Sequence, residues 1–341
     1  LMPLVINGRF VTRRISGVER YAHELTRRIR GEVRVEIPPP LKSVSGHFWE
    51  QFILPGRVQR GDWLFSPANT GPVSVSKQLV TLHDLSPLEH PEWFSRGFAF
   101  WYRLLWPILV KRVRGVLTVS EFSRQRIMAW LQIPPEKIVA IPNGVDTQSF
   151  FPRSPVECAS VRVKYHLQKD YLVFVGSWQP RKNLPRLLDV WQQIQAEFPD
   201  IELVIAGRLG AQFSISPFRT GIARFLQNIS DDHLPALYSG AVGLVHPGLY
   251  EGSGLTLLEA MASGCPIVAA NNTALPEVAG EAGLFFDPSD PPDMARTLRL
   301  FLKDTGLRAS LRVKGDERVR QYPWERTCDE FHEALHHFQV W

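Results

Sequence analysis

The chain has 341 residues, 44% hydrophobic and 21% charged, a length that suits two domains of ordinary size and a balance that excludes a disordered polymer. No apolar run approaches the ~18 residues that a membrane-crossing helix needs, and the N-terminus shows no leader pattern of charge followed by an apolar core. The net charge of +5 is uneven: residues 1–150 carry 20 Lys and Arg against 12 Asp and Glu, a net +8, and residues 151–341 carry 19 against 22, a net −3. Anionic partners, including an anionic membrane surface, are therefore expected to meet the first part. Nucleic acid is not expected, because no recognised nucleic-acid motif is present. Cys158, Cys265 and Cys328 have no metal-ligand spacing, and their odd number suits a reducing cytosol.

Strand and helix patterns alternate along the chain, which predicts an α/β protein with two doubly wound halves. Pro3–Ile6 reads as a strand. Ser16-Gly17 is a turn in which Ser16 N-caps a helix over Val18–Arg30. Leu79–Leu82 reads as a strand ending at His83-Asp84, with Asp84 capping the next turn. Phe98–Arg114 reads as helical, with Pro107 expected to kink it. Its Trp101, Tyr102 and Trp106 interleave with Arg103, Lys111, Arg112 and Arg114. That pattern fits a core helix with snorkelling arginines or a membrane-surface element. Gly115–Val119 is a strand, Ser120 caps the helix Glu121–Leu131, Lys137–Ile141 is a strand, and Pro142-Asn143-Gly144 is a turn. A Pro/Ser-rich connection near Phe151–Pro155 divides residues 1–150 from 151–320. Beyond it, Tyr171–Val175 is a strand, Gly176 to Asn183 a loop and Arg186–Phe198 an amphipathic helix. Leu203–Ala206, Gly243–His246 and Cys265–Ala270 are strands, and Trp324–Phe338 is the final helix.

The run GLYEGSGLTLLEAMASGCPIVAAN carries the most chemistry. Glu251, Gly252, Ser253 and Gly254 form a glycine-rich turn. Leu255, Leu258 and Ala262 then recur at helical spacing, with Thr256 in the first turn, Glu259 inside the helix and Gly264 as its stop. A glycine-rich approach to a helix N-terminus is an anion site, and a carboxylate on either side suits a ligand whose hydroxyls flank a diphosphate, a nucleotide sugar. Glu259 could equally be a solvated glutamate favoured by the helix dipole. Arg181 and Lys182 follow a strand end and its Gly176, where α/β sheets bind ligands; two adjacent cations there can offset a leaving diphosphate, although a solvated basic loop is the common fate of such a pair. A strand-end histidine such as His83 is more often structural than catalytic. No Asp-x-Asp metal bridge is present, since Asp231 and Asp232 are adjacent, so metal-independent chemistry is expected.

These words resemble glycosyltransferase family 4, the retaining GT-B enzymes, over nearly the whole chain. VGSWQPRKNL is similar to the family's diphosphate-gripping loop, HDL to the element whose histidine faces the donor sugar, and PNGVD to a cleft-shaping turn near the hinge. SGVERYA, WEQFILP and TLHDLSPLEHPEWFSR look most like the bacterial mannosyltransferases of surface polysaccharide synthesis. The family usually has Phe at the position of Ser253 and often Pro at that of Thr256, which bears on the shape of the sugar pocket. The resemblance implies two Rossmann-like domains facing an interdomain cleft, with the acceptor domain at 1–150 and the donor domain at 151–320. The 321–341 segment would cross back to the first. It implies Glu251, His83, Arg181 and Lys182 as catalytic residues. Ser16, Gly17, Gly176, Gly252, Ser253, Gly254, Leu255, Thr256 and Glu259 join Arg181, Lys182 and Glu251 in holding the donor. The implied activity is retaining transfer of a hexose, mannose foremost, from a nucleoside diphosphate sugar, with GDP-mannose favoured and no other cofactor. The implied acceptor is a glycan or an undecaprenyl-diphosphate-linked chain of O-antigen type, met at the cytoplasmic face of the membrane. A silent carbohydrate-binding scaffold subunit, or a relative using glucose, rhamnose or N-acetylhexosamine, is the alternative. A glycosidase would pair two carboxylates but has no use for diphosphate-binding cations.

Overall fold

The computed structural model describes residues 3–13, 15–39, 43–207 and 221–340. Two compact units divide the chain, one formed by Leu1–Gly144 with Trp324–Trp341 and the other by Val145–Pro323. Arg14, in the RRISGVERYAHEL run, lies outside the described residues.

The first unit holds β1 (Leu4–Asn7), β2 (Val33–Glu36), β3 (Trp63–Ser66), β4 (Gln78–Thr81), β5 (Gly115–Thr118) and β6 (Ile138–Ala140), all parallel in the order β2-β1-β3-β4-β5-β6. The second holds β7 (Asp170–Val175), β8 (Ile201–Ala206), β9 (Arg224–Leu226), β10 (Gly243–His246), β11 (Ile267–Ala270) and β12 (Gly283–Phe286), again parallel, in the order β12-β11-β10-β7-β8-β9. Both are doubly wound sheets. Their direction of winding reverses between β1 and β3 and between β7 and β10, and at such a point the loops leaving the carboxyl ends splay apart and leave room for a ligand.

The strands are apolar because helices cover both faces. Leu4, Val5 and Ile6 are fully buried, as are Leu172, Val173 and Phe174. The helix Leu184–Ile194 buries Leu184, Leu187, Leu188, Trp191 and Ile194, the spacing of one helical face. Helix starts are set by side-chain caps: Ser16 forms a reciprocal capping box with Glu19, and Ser120 accepts from the Ser123 N–H. The final helix, Trp324–His337, packs Trp324, Phe331, Ala334 and Leu335 into the core of the first unit with Leu4, Ile6 and Phe65.

Several predicted boundaries move. The helix expected to start at Val18 and run to Arg30 occupies Gly17–Thr26, and that expected over Arg186–Phe198 occupies Leu184–Ile194 followed by a 3-10 turn, Gln195–Glu197. The aromatic-basic helix is Arg96–Arg112 and runs through Pro107. Its Tyr102 and Trp106 are core residues, and the Trp106 indole N–H donates to the Asn69 carbonyl at 2.8 Å, so these rings do not form an interfacial belt. The outward face instead carries Phe100, Leu104 and Ile108, four residues apart and roughly half exposed or more. No helix among the described residues is long and apolar enough to cross a membrane.

Candidate functional site

In the second unit the site grows from the loops that follow β7, β10 and β11. Pro180–Lys182 is a 3-10 turn that ends at Asn183, whose left-handed backbone begins the helix Leu184–Ile194. The Arg181 carbonyl accepts the Leu249 N–H at 2.7 Å, and Arg181 Nη1 donates to the Tyr250 carbonyl at 3.0 Å. Asn272 Nδ2 donates to the Leu249 carbonyl at 2.9 Å, and the Glu251 N–H donates to Thr273 Oγ1 at 3.2 Å. These bonds lace three separate loops into one surface, and Glu251 is held at its centre.

The Glu251 carboxylate is almost fully buried and surrounded by positive charge. Lys182 Nζ lies 2.5 Å from Oε1, Arg181 Nη1 lies 3.2 Å from Oε2, and His246 Nε2 lies 3.5 Å from Oε1. Burial alone would raise its pKa, but Lys182 and Arg181 together hold it well below the usual carboxylate range. His246 is 1% exposed at the end of β10. Burial pushes its pKa down to about 4, against the pull of Glu251 and reinforced by Lys182 and Arg181, so the imidazole is neutral at pH 7. Gly248 leaves room for this packing: a Cβ there would meet His246 Cε1 at 2.9 Å and Glu251 Oε1 at 3.3 Å.

The helix Leu255–Ala262 starts from Gly254, whose φ of +64° favours glycine, and no side chain caps it. The Leu257 and Leu258 N–H groups donate to the Gly254 carbonyl, and the N–H groups ahead of them belong to the class of helix-start donors that can take an anion. Glu259 sits in the middle of this helix and is 7% exposed. Thr256 and Ser253 are half-buried, and Gly252 and Leu255 are buried. Gly176 closes β7, its N–H donating to the Ala206 carbonyl at 2.9 Å. Arg181, Lys182 and Glu251 are therefore brought into direct contact, with the helix that carries Glu259 beginning at Leu255, two residues after the Glu251-Gly252-Ser253 turn.

In the first unit, His83 follows β4 and is 6% exposed. Its ring Nε2 lies 2.9 Å from the Pro67 carbonyl, which accepts an N–H there, and its backbone N–H donates to Asn69 Oδ1 at 2.8 Å. Burial lowers its pKa, so it too is neutral, and the bond to Pro67 leaves Nδ1 as the acceptor nitrogen. Tyr21 packs edge-on against the ring and lies on the helix begun by Ser16 and Gly17. Asp84 caps as expected, accepting from the Ser86 N–H at 2.9 Å and the Ser86 hydroxyl at 2.7 Å.

Four features escaped the sequence reading. His246 was read only as the last residue of a strand, although a polar residue closing the apolar run Gly243-Leu244-Val245 was a signal. Thr273 carries no local signal. Glu19 completes a Ser-x-x-Glu box that was legible three residues after Ser16. At the β1/β3 reversal, Glu50 is completely buried and accepts from Asn7 Nδ2 at 2.7 Å, Thr70 Oγ1 at 2.8 Å and Arg9 Nη1 at 2.9 Å, a saturated network that shapes the carboxyl end of that sheet.

Comparison with known proteins gives a consistent picture. Residues 161–318 match the family model of group 1 glycosyl transferases, and residues 71–149 match that of Glycosyltransferase Family 4. O-antigen chain mannosyltransferase B of Escherichia coli is 32% identical over 74% of this chain and 68% of its own length. The serotype-specific mannosyltransferase WbdA of Escherichia coli is 26% identical over 74% of this chain and 32% of its own length. The O-antigen chain mannosyltransferase RfbU of Salmonella typhimurium is 28% identical over 63% and 58%. The chain thus spans about two thirds of the first relative and less of the others. Among solved structures, Anabaena HepE in complex with UDP-glucose superposes with a TM-score of 0.77 at 17% identity, covering 98% of this chain and 99% of that one. WaaG, a glycosyltransferase involved in lipopolysaccharide biosynthesis, superposes with a TM-score of 0.75 at 15% identity over 98% and 99%.

Proposed function

The chain belongs to glycosyltransferase family 4 and has its GT-B fold, and we propose that it moves mannose from GDP-mannose to a surface polysaccharide of O-antigen type, with retention of configuration and without a divalent metal. Mannose is supported by the names of three relatives, each a mannosyltransferase and all acting in O-antigen or serotype-determining synthesis by those names. A silent binding subunit is not favoured.

The observation that carries the mechanism is the Lys182–Glu251–Arg181 set on the loops after β7 and β10, beside the uncapped start of the helix Leu255–Ala262. When a glycosyl group departs, negative charge grows on the diphosphate. Fixed cations and backbone N–H groups aimed at that charge stabilise the transition state without reorganising. A guanidinium has five donors, so a diphosphate can join the Arg181–Glu251 contact rather than replace it. Arg181, Lys182 and the helix terminus take the part that a metal plays elsewhere. Glu251, kept ionised by its two cations, is placed to hold hydroxyls of the transferred sugar and to favour the positive charge that develops at its anomeric carbon. Glu259, within the same helix, is assigned to the ribose hydroxyls. His83 is neutral with its Nε2 engaged by Pro67, which leaves Nδ1 to accept a hydrogen bond from a sugar hydroxyl. The acceptor hydroxyl then attacks from the face the diphosphate leaves: the glycosyl–phosphate bond breaks, the glycosidic bond forms, and the hydroxyl proton passes to the departing phosphate oxygen.

The test is transfer from GDP-mannose to a lipid-linked glycan acceptor in the presence of EDTA, with the anomeric configuration of the product read by NMR. An α-linked product at undiminished rate is expected. A β-linked product, or activity lost in EDTA and restored by Mg²⁺ or Mn²⁺, refutes the mechanism; use of UDP-glucose in preference to GDP-mannose refutes the donor.

An acceptor on an undecaprenyl diphosphate would place the enzyme at the cytoplasmic face of a membrane. The net +8 of residues 1–150 and the exposed Phe100, Leu104 and Ile108 stripe support peripheral association through the first unit. Replacing all three by Ser should reduce co-sedimentation with phosphatidylglycerol vesicles; unchanged sedimentation would rule this surface out.

A further inference from the structure

We propose that the first unit carries a second anion site, for a phosphate group attached to an apolar or planar body, at the amino-terminal edge of its sheet. An open cavity of about 610 Å³ lies there. Its cationic groups come from consecutive strand entries. Lys77 immediately precedes β4, Arg114 precedes β5 and Lys137 precedes β6, while Arg112 is the last residue of the helix Arg96–Arg112. His337 adds an imidazole, and Glu136 is the one carboxylate on the lining. Donor-site chemistry in α/β sheets occupies the carboxyl ends of the strands, so this cavity is at the opposite edge from His83 and from the Ser16-Gly17 turn.

Among the described residues this charge has no carboxylate partner. Most arginines of this protein have carboxylate partners, as in Arg9–Glu50, Arg34–Asp62 and Arg126–Glu89. Among the described residues, none of Lys77, Arg112, Arg114 and Lys137 lies within ion-pair distance of one. What holds Lys137 and Arg114 is neutral: Lys137 Nζ donates to the Lys111 carbonyl at 3.0 Å, and Arg114 donates through Nε to the Phe338 carbonyl at 3.3 Å and through Nη2 to Gln339 Oε1 at 3.0 Å. Part of this arrangement complements the carboxyl end of the helix dipole, but that explains Arg112 and not Lys77, which lies outside the helix. Burial, and after it the neighbouring Arg114 charge, hold the Lys137 ammonium below its usual range. The floor beneath is apolar, with Trp63, Val113 and Phe338 buried there. A cationic rim over an aromatic floor recognises an anion carried on a hydrophobic or planar group, which could be a soluble phosphate ester or a lipid headgroup.

Two titrations separate these sources. In the first, inorganic pyrophosphate is titrated calorimetrically into the full chain with the donor site saturated by GDP. Saturable binding at low salt is expected, roughly tenfold weaker in Lys77→Gln/Arg112→Gln and retained in Lys77→Arg/Arg112→Lys. Among the described residues neither side chain makes a hydrogen bond or an ion pair, so the variant should fold, which an unchanged Tm checks. In the second, sedimentation with phosphatidylglycerol and phosphatidylcholine vesicles is compared for the same proteins. Loss of selective sedimentation in the Gln variant, with the Phe100, Leu104 and Ile108 stripe intact, identifies a headgroup. Pyrophosphate binding without vesicle selectivity identifies a soluble ligand. No pyrophosphate binding together with variant-independent sedimentation overturns the proposal, whatever the donor site does.

Discussion

Removing Lys182 alone should be more damaging than removing Lys182 and the charge of Glu251 together. Lys182 and Glu251 side chains are 7% and 10% exposed and meet at 2.5 Å. Deleting one partner of a buried pair leaves an uncompensated charge and costs about 3–5 kcal/mol. Here Arg181 remains at 3.2 Å, but it is 20% exposed and better solvated, so Lys182→Met should cost about 2–4 kcal/mol, or roughly 5–15 °C in Tm for a unit of this size. Glu251→Gln in the same chain removes the stranded charge, and the double variant should recover most of that loss. Acid gives a second check. Glu251 has its folded pKa lowered by Lys182 and Arg181, so the pair stabilises above the ordinary carboxylate range and its contribution fades as pH falls through the folded value. Without Lys182 that folded value rises, and protonation then relieves the stranded charge. The deficit of Lys182→Met should therefore shrink between pH 7.5 and pH 5. The assay is differential scanning fluorimetry of the four proteins at both pH values, with nucleotide omitted. A double variant no more stable than Lys182→Met, or a deficit that grows on acidification, would refute the reasoning.

Further outcomes follow from the same loops. His246 has a folded pKa of about 4 against an ordinary 6.5, so the unfolded chain binds the extra proton between those values and stability rises with pH across that window; the span is worth about 3 kcal/mol, and His246→Gln should flatten that part of the Tm-against-pH curve. An unchanged slope would show that His246 is not the acid-sensitive group. Glu259→Ala should weaken GDP binding by about 1–3 kcal/mol in calorimetry. Glu251→Gln should leave GDP affinity nearly intact and depress kcat; equal loss of GDP by both variants would reverse the assignments.

Much of the architecture was legible because its signals are local. Glu121–Leu131 and Gly243–His246 were found to the residue: the first has a serine cap, and the second is an apolar run ended by a histidine. β3 (Trp63–Ser66) was missed because four buried residues between loops have no period to detect, and β2 (Val33–Glu36) because an edge strand half-buried along its length shows no alternation. The Arg96–Arg112 helix was open to two readings for a physical reason. Aromatics beside arginines look interfacial in one dimension, whereas the 100° step of a helix turns Tyr102 and Trp106 into the core and Phe100 and Leu104 outward. Arg181, Lys182 and Glu251 were each singled out, but the contact between them spans some seventy residues and depends on β7 and β10 being neighbours. His246 lies only five residues before Glu251, but its contact with that carboxylate depends on the fold of the 247–250 loop, which carries no periodic signal.

The last helix has a consequence for how the protein is made. Residues 145–323 form one unit, and the chain that leaves the first unit at Gly144 re-enters it at Trp324. The two crossings run side by side: Val145 pairs with Pro323, the Val145 N–H donates to the Tyr322 carbonyl at 2.8 Å, and a Cβ on Gly144 would strike the Trp324 backbone at 2.5 Å. On a ribosome, the first unit therefore emerges first and is completed last. Until Trp324, Phe331 and Leu335 are translated, the faces of Leu4, Ile6 and Phe65 that they cover are open. The second unit, contiguous in sequence, can close its core beforehand. A nascent chain thus carries an unfinished apolar surface until those residues are made, and a stop codon placed before Trp324 would strip them from the core of the first unit while leaving the loops after β7, β10 and β11 whole.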